Sequence, residues 1–377
     1  MRSKKSILYY LCILLFLLIA FFSNDFNLVN VQKTAIITAI AIDKEEDGFS
    51  LTALIANPAS QGGSEGGAKT GQTADGYAAV QGQGKTVAEA LEDVNAKTGW
   101  YPKLVFCRVL LLGESLCSGN VFDALDYFLR SDYAADDPLL AATDGKASEL
   151  LQAKPPLKAA VSEAIEKVLS DQPKRVGAVL TASLRPFAIS YFSAGNSGYM
   201  PLIVKETGKD GDVFNASKTA LFQNGRRIGV LDEKGTFALS CIKNPLRLAA
   251  YTVQSQGEEN TLLIKQNQRK LRFLLDGDEP TMRINLTLYA EWTDAANSQP
   301  LEALSSREKQ SALYTNAGNV LSEQIQSTFA YCKSIGFDAF DAIGKLQKYE
   351  NNHFARLKDS LVQRLQLQIT VRFAPVR

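Results

Sequence analysis

Hydrophobic and polar positions follow different patterns in the two halves of the chain. In the first half, Thr34–Ile42 is apolar at both alternating sets of positions, which predicts a strand buried on both faces. The charged segment Asp43–Gly48 predicts a solvated hairpin turn, after which Phe49–Ala56 forms the partner strand. In the second half, Met282–Trp292 and Leu365–Phe373 alternate strictly between apolar and polar residues, which predicts strands with one buried face.

Apolar residues at helical intervals predict helices between the strands of the first half. These helices cover Val87–Lys97, Val121–Arg130 and Val161–Leu169, and the apolar run Leu104–Leu112 predicts a further strand between the first two. The first half is therefore expected to mix sheet and helix along its whole length.

The second half carries a hairpin signal and a long helix. Asn224-Gly225 separates two apolar runs, and both residues tolerate the positive φ that a tight hairpin turn requires. Ser305 and Glu308 fit a capping box that begins the long helix. Its predicted apolar stripe consists of Leu313, Ala317, Val320, Leu321, Ile325, Thr328, Phe329 and Cys332. Antiparallel sheet with one face covered by helices explains these patterns, so the predicted fold class is α+β.

The length of the chain sets the expected number of domains. At about 150 residues per domain, 377 residues predict two domains, or three smaller ones. The segment Asp171–Asp212 is rich in proline and glycine and is the best place for a boundary. We therefore predict a signal anchor or signal peptide at residues 1–24, and two α+β domains of mostly antiparallel sheet with packed helices at residues 25–200 and 210–377.

The N-terminus has the composition of a membrane-targeting segment. Ile7–Phe22 is an unbroken apolar run that follows Arg2, Lys4 and Lys5. Sixteen residues span about 24 Å as a helix, against roughly 30 Å for the hydrocarbon core of a bilayer. The preceding cations favour an N-inside orientation, which places the rest of the chain outside the cytoplasm. An uncleaved anchor is the favoured prediction, with a cleaved signal peptide as the alternative.

Charge and composition exclude several classes of function. The chain has 41 Lys and Arg against 40 Asp and Glu, so it lacks the excess of cations that a nucleic-acid binder needs. Its single histidine, His353, excludes multi-histidine metal centres and leaves one candidate for a histidine base. Four of the five cysteines lie outside the apolar run, show no metal-binding spacing, and are predicted to be buried free thiols.

One segment imitates a phosphate-binding loop. Ala79 to Thr86 fits a loose form of that motif, in which Lys85 would contact the phosphates and Thr86 a magnesium ion. However, Thr86 and Glu89 also form a capping box for the helix that begins at Val87, which explains the same residues without a ligand. We therefore assign no catalytic, cofactor-binding or metal-binding residue, and His353 is interpreted as a surface or capping histidine.

Several short blocks recur in a fixed order along the chain. The blocks are Ala35–Asp43 with Gly48 and Asn57-Pro58, Gly84-Lys85-Thr86 with Glu89-Ala90-Leu91, Val109–Glu114, Phe128–Arg130, Gly145–Ala147 with Leu150-Leu151, Ala220–Phe222 with Gly229 and Leu231, and Ile335–Phe337. Each block is weak alone, but their order and spacing over about residues 33–373 are specific. Together they resemble the Ger(x)C family, the C subunit of spore germinant receptors.

The resemblance implies a location and partners. A member of this family would lie at the outer face of the spore inner membrane, beside a multi-spanning A subunit and a transporter-like B subunit. Members are usually lipoproteins with a lipidated cysteine just after a short apolar run. Here Ser23–Val31 contains no cysteine and Cys12 follows Tyr9-Tyr10-Leu11 instead of small residues, so no lipid attachment is predicted. Val230 also stands where the family usually has tryptophan.

The predicted function is that of a membrane-anchored, non-enzymatic receptor subunit without a cofactor. It would act in assembly or signalling during nutrient-triggered germination, through contact with other proteins. An extracytoplasmic solute-binding protein that captures the germinant directly is the alternative, and an envelope hydrolase that uses only Asp and Glu is a more distant one.

Overall fold

The computed structural model describes residues 11–17, 34–56, 76–131, 133–156, 160–255, 257–295 and 307–376. Residues 11–17 are helical, and their apolar side chains are exposed. Among the residues described, no helix is both long and apolar enough to cross a membrane. The remaining parts form two β-sheets with packed helices, as the predicted α+β class requires. The predicted cap at Ser305 and the Asn57-Pro58 block lie outside the described residues.

The larger sheet and its helices occupy the first part of the chain. Its strands are β1 (Thr34–Glu45), β2 (Gly48–Ala56), β3 (Tyr77–Gly84), β4 (Tyr101–Lys103), β5 (Val109–Leu112), β6 (Leu139–Thr143), β7 (Ala182–Ser183), β8 (Ser197–Thr207), β9 (Asp212–Gln223) and β10 (Arg226–Leu231). The helices between them are α1 (Val87–Thr98), α2 (Glu114–Cys117), α3 (Phe122–Arg130), α4 (Val161–Leu169), α5 (Asp171–Arg175) and α6 (Leu184–Phe192), with 3-10 turns at Leu104–Phe106 and Ala147–Gln152.

The second sheet and its helices follow. The strands are β11 (Ala249–Ser255), β12 (Glu258–Asp276), β13 (Glu279–Ala295) and β14 (Gln366–Pro375). The helices are α7 (Glu233–Lys243), α8 (Arg307–Ser334), α9 (Ala342–Tyr349), α10 (Asn351–Leu357) and α11 (Leu361–Arg364).

The larger sheet is antiparallel at its edges and parallel at its centre. The strand order is β10-β9-β8-β6-β5-β1-β2-β3, with β4 paired to β1 and β7 paired to β6. The four central strands β8, β6, β5 and β1 run parallel to one another. Parallel neighbours need a crossover connection, and helices supply it between β5 and β6. The strand predicted at Leu104–Leu112 was too long, because the chain first makes a 3-10 turn and only Val109–Leu112 joins the sheet.

The centre of the larger sheet is buried on both faces, as predicted for β1. Ile40 and Ile42 pack on one face against α1, α3 and α6. Ala39 and Ala41 pack on the other face against the 3-10 helix that begins at Ala147 and against α4. A strand covered by helices on both faces has no polar face, which explains its continuous apolar sequence.

The second sheet is buried on one face only. Its order is β11-β12-β13-β14, with β14 parallel to β13 and the other pairs antiparallel. In β13, Ile284 and Leu286 are buried under the helices, whereas Arg283 and Asn285 are exposed. The long helix α8 provides most of the cover, and its buried side largely matches the predicted stripe. Of the predicted residues, Phe329 is only partly buried and Val320 is 38% exposed.

The larger sheet extends beyond residue 210, where the second domain was predicted to begin. β9 and β10 follow residue 210 in sequence, yet β9 pairs with β8 and β10 pairs with β9, so both extend the larger sheet. The hairpin between them is confirmed, because Asn224 and Gly225 have φ of 51° and 76°. The division into domains at residues 25–200 and 210–377 therefore stays a prediction.

Candidate functional site: a polar junction and an open groove

A buried carboxylate marks the end of β1. Asp43 is 3% exposed, and its two oxygens accept hydrogen bonds from the backbone amides of Ala147 (2.7 Å) and Ser148 (3.1 Å). These amides belong to the first turn of a 3-10 helix, where they have no partner within the helix. Asp43 therefore caps that helix from a strand about a hundred residues away in sequence.

Gly113 leaves room for the carboxylate of Asp43. The carboxyl ends of β1, β5 and β6 lie side by side, so Asp43 and Gly113 are adjacent. A Cβ atom on Gly113 would lie 2.0 Å from Oδ1 of Asp43, which no side chain could occupy without displacing the carboxylate. The requirement for glycine at position 113 follows from this close approach.

An arginine from β10 forms ion pairs at the same carboxyl ends of the strands. Arg227 is 15% exposed at its side chain, and its guanidinium donates to Asp144 (2.8 Å) and to Glu114 (2.9 Å). Glu114 also accepts a hydrogen bond from the Gly145 amide at 3.1 Å. Desolvation acts to lower the pKa of Arg227, but the two carboxylates outweigh it and the pKa is raised overall, so the arginine stays charged.

We call this set of residues (Asp43, Gly113, Glu114, Asp144 and Arg227) the polar junction. The prediction that Asp43 belongs to a solvated turn was wrong, because the exposed part of that hairpin begins only at Glu45. The misleading signal was the run of acids that follows Asp43. An acid placed directly after a doubly buried strand was the signal that could have identified it.

An open groove is lined by Val230 and Leu231 at the end of β10, the strand that carries Arg227 near its start. It has a volume of about 790 Å³ and lies between the β10–α7 connection, β11 and α8. Phe237, Tyr251 and Val320 supply apolar lining, and Asp232 and Glu233 supply acidic groups. This groove combines apolar and charged groups on a surface open to solvent.

β10 connects the groove to the junction. Gly229 lies so close to α8 that a Cβ atom there would be 2.7 Å from the hydroxyl of Tyr331. The same hydroxyl accepts a hydrogen bond from the Val230 amide at 3.3 Å. Arg227, Gly229 and Val230 therefore tie this strand to the larger sheet at one end and to α8 at the other.

The segment that imitates a phosphate loop has a structural role. The Thr86 hydroxyl accepts from the Glu89 amide at 3.2 Å, which confirms Thr86 as the helix cap. A carboxylate oxygen of Glu89 reaches back to the Lys85 amide at 2.7 Å, one residue before the cap. A Cβ atom on Gly84 would lie 2.4 Å from the backbone nitrogen of Ala90. The glycine therefore allows α1 to pack tightly against β3.

The remaining candidate residues also have structural contacts. His353 lies in α10, with Nδ1 3.0 Å from the guanidinium of Arg356, which in turn pairs with Asp278. The histidine is thus part of a surface polar cluster.

All five cysteines are free. Cys107, Cys117, Cys241 and Cys332 are buried, as predicted, and burial raises the pKa of the Cys107 and Cys117 thiols to about 12. Cys12 is exposed on the helical segment 11–17, and the absence of lipid on it remains a prediction.

Two models of spore germination proteins match this chain, one in each half. A model described as the spore germination protein N-terminal domain matches residues 27–205, and one described as spore germination B3/GerAC like, C-terminal, matches residues 217–374. Spore germination protein B3 of Bacillus subtilis (strain 168) is 22% identical over 300 residues, which cover 78% of this chain and 75% of that protein.

A solved structure has the same fold. The crystal structure of the GerBC protein matches with a TM-score of 0.55 at 14% identity, covering 92% of this chain and 100% of the other. The α+β architecture with two sheets is therefore shared with that protein.

Proposed function

The chain belongs to the Ger(x)C family of spore germination proteins, and from this we propose that it is a membrane-anchored, non-enzymatic subunit that serves germinant-receptor assembly or signalling. The two family models, which together cover most of residues 27–374, are the observation that carries the proposal. A role without chemistry fits the polar junction, whose charged groups are engaged with one another or with backbone amides.

The N-terminal sequence supports the anchor. Ile7–Phe22 is apolar throughout, and the described part of it, residues 11–17, is a helix with exposed side chains. A helix that exposes leucine and phenylalanine on all sides gains free energy when a bilayer removes those side chains from water. Anchoring would hold the folded body at high local concentration beside integral-membrane partners at the outer face of the spore inner membrane.

The open groove supports contact with a partner protein. It offers the aromatic side chains Phe237, Tyr251 and Tyr331 together with charged groups, a composition that suits contact with a protein. Its lining residues lie on β10 of the larger sheet, on β11 of the second sheet and on α7 and α8. A partner bound there would therefore contact β10 and α8 together. We propose that a membrane-spanning A subunit or a transporter-like B subunit of the receptor binds this groove.

Deletion and groove variants test the two parts separately. Deletion of residues 1–23 should leave the body folded while membrane recovery and the germination response are lost. Val320→Glu should weaken co-purification with the partner subunits, because it adds a charge to the apolar lining without disturbing the core. Gln326→Glu is the matched control, since it adds the same charge on an exposed position of α8 outside the groove. A fully functional truncation, or equal behaviour of both charge variants, would contradict the proposal.

The groove also favours a second candidate, a protein that binds the germinant directly. Its volume of about 790 Å³ lies within the range of small-molecule sites. This function predicts that millimolar nutrients raise the melting temperature of the purified protein, and that Val320→Glu abolishes the effect. Unchanged melting with every nutrient that triggers germination would exclude it.

A further inference from the structure

Exposed apolar side chains cluster at the end of the larger sheet where β1 begins. Tyr101, Val105, Phe106 and Tyr133 are 53%, 54%, 51% and 76% exposed. We call these four residues the apolar end. Large exposed apolar patches on soluble domains usually mark contacts with proteins or membranes.

Backbone contacts hold these four residues at one end of the sheet. β4 pairs in parallel with the start of β1, so Tyr101 lies beside Thr34. The 3-10 turn with Val105 and Phe106 follows directly. The amide of Ala135 donates to the carbonyl of Leu104 at 3.1 Å, which brings the segment with Tyr133 beside that turn.

The chain connection identifies what this end faces. Thr34, the first residue of β1, follows the apolar run Ile7–Phe22 after only eleven intervening residues. Even fully extended, that connection reaches about 40 Å, so the end of the sheet that carries Thr34 is the end tied to the anchor. The connection therefore keeps this end of the sheet within about 40 Å of the anchor.

The composition of the apolar end suits the interfacial layer of a bilayer. Tyrosine prefers this layer because its ring can lie among the acyl chains while its hydroxyl stays hydrated. Two of the four residues are tyrosines, and Lys103 lies between Tyr101 and Val105 in sequence, where its ammonium can remain among the headgroups. From this we propose that Tyr101, Val105, Phe106 and Tyr133 rest in the lipid headgroup region and orient the body on the membrane. The proposal rests on the anchoring proposed above.

Site-specific fluorescence of the full chain tests this orientation. The protein, with Cys12→Ser and Val105→Cys, is labelled with an environment-sensitive dye and reconstituted in vesicles of phosphatidylcholine and phosphatidylglycerol. The four remaining cysteines are buried and do not compete for the label. A spin-labelled lipid with its quencher near the headgroup should quench the dye, and iodide in the water should not.

Tyr349→Cys provides the matched control, because Tyr349 is 63% exposed but lies on α9 beside the second sheet. Its dye should be quenched by iodide and not by the lipid. Tyr133→Cys is a second site that covers the case in which the Val105 variant fails to fold. Val105→Asp with Phe106→Asp should then abolish the lipid quenching at position 133.

The outcomes separate this proposal from the anchor itself. Protein that fails to float with the vesicles would overturn the anchor and the orientation together. Protein that floats but is quenched only by iodide at position 105 would overturn the orientation alone. Shielding from iodide without lipid quenching would also overturn it, and would show that protein covers the apolar end.

Discussion

The two sheets bury their strands in different ways, and the difference explains which parts of the protein depend on polar contacts. The central strands of the larger sheet pack on two separate hydrophobic clusters, one on each face. The second sheet packs on a single cluster, and the other face of β13 carries exposed polar residues. A doubly covered sheet can admit a charged group only at its edge or at the strand ends, and the polar junction lies at such an end.

The largest expected difference is between a charge placed on a central strand of the larger sheet and one placed on the second sheet. Ala41→Lys puts an ammonium on a fully buried face of β1, whereas Asn285→Lys puts one on the exposed face of β13. The first should destabilise the protein by more than about 4 kcal/mol, because an unpaired charge cannot be buried without great cost. The second should change stability by less than about 0.5 kcal/mol. Urea unfolding measures both, and equal effects would disprove two-sided burial.

Removal of the buried carboxylate should have the next largest effect. Asp43→Ala leaves the amides of Ala147 and Ser148 without their acceptor, which should destabilise the protein by about 2–4 kcal/mol. Asp47→Ala removes an exposed acid from the same hairpin and should be close to neutral. Similar unfolding midpoints for the two variants would show that Asp43 does not hold the 3-10 helix in place.

Loss of the arginine bridge should have a smaller effect. Arg227→Ala should cost about 1–2 kcal/mol, since the carboxylates of Glu114 and Asp144 are about half exposed and can regain water. Arg226→Ala, at an exposed neighbouring position, is the control. A double-mutant cycle between Arg227 and Glu114 isolates the pair, and a coupling energy of zero would remove this contact from the junction.

The smallest effect is expected where the second sheet's helices meet the larger sheet. The Lys243 ammonium on α7 lies 5.0 Å from the ring centroid of Tyr199 on β8. Desolvation lowers the pKa of Lys243, although Asp338 opposes the shift. Between the lowered pKa of the folded protein and the ordinary lysine pKa of 10.5, Lys243 is protonated in more of the unfolded chains than of the folded ones. The contribution of Lys243 to stability therefore rises with pH up to 10.5.

Lys243→Met should remove this rise and increase stability at neutral pH, by less than the change expected for Arg227, because the apolar packing remains and the desolvated charge is gone. Unfolding free energies of both proteins between pH 7 and about 10.5 measure the difference in slope. Parallel curves would show that Lys243 has an ordinary pKa in the folded protein.

How well the sequence predicted each region depended on how many faces of a strand are buried. The strict alternation in Met282–Trp292 indicated β13 and its buried residues correctly, because one face of that strand meets water. The apolar run Leu104–Leu112 predicted too long a strand, since an apolar turn and a buried strand have the same composition. Periodicity also could not reveal that β1, β5, β6 and β8 are parallel, because strand direction depends on the crossover connections.

By itself, the sequence determined the local features: the apolar N-terminal segment, the Asn224-Gly225 turn, the Thr86 capping box and the order of blocks that indicated the family. The segment, the turn and the cap each depend on residues close together in the sequence, and the order of the blocks is read directly along the chain. Only the tertiary structure decided that Asp43 is buried, that Arg227 joins two carboxylates, and that four exposed apolar side chains share one end of a sheet. Those contacts join residues tens to more than a hundred positions apart, and no periodicity along the chain records which strands will become neighbours.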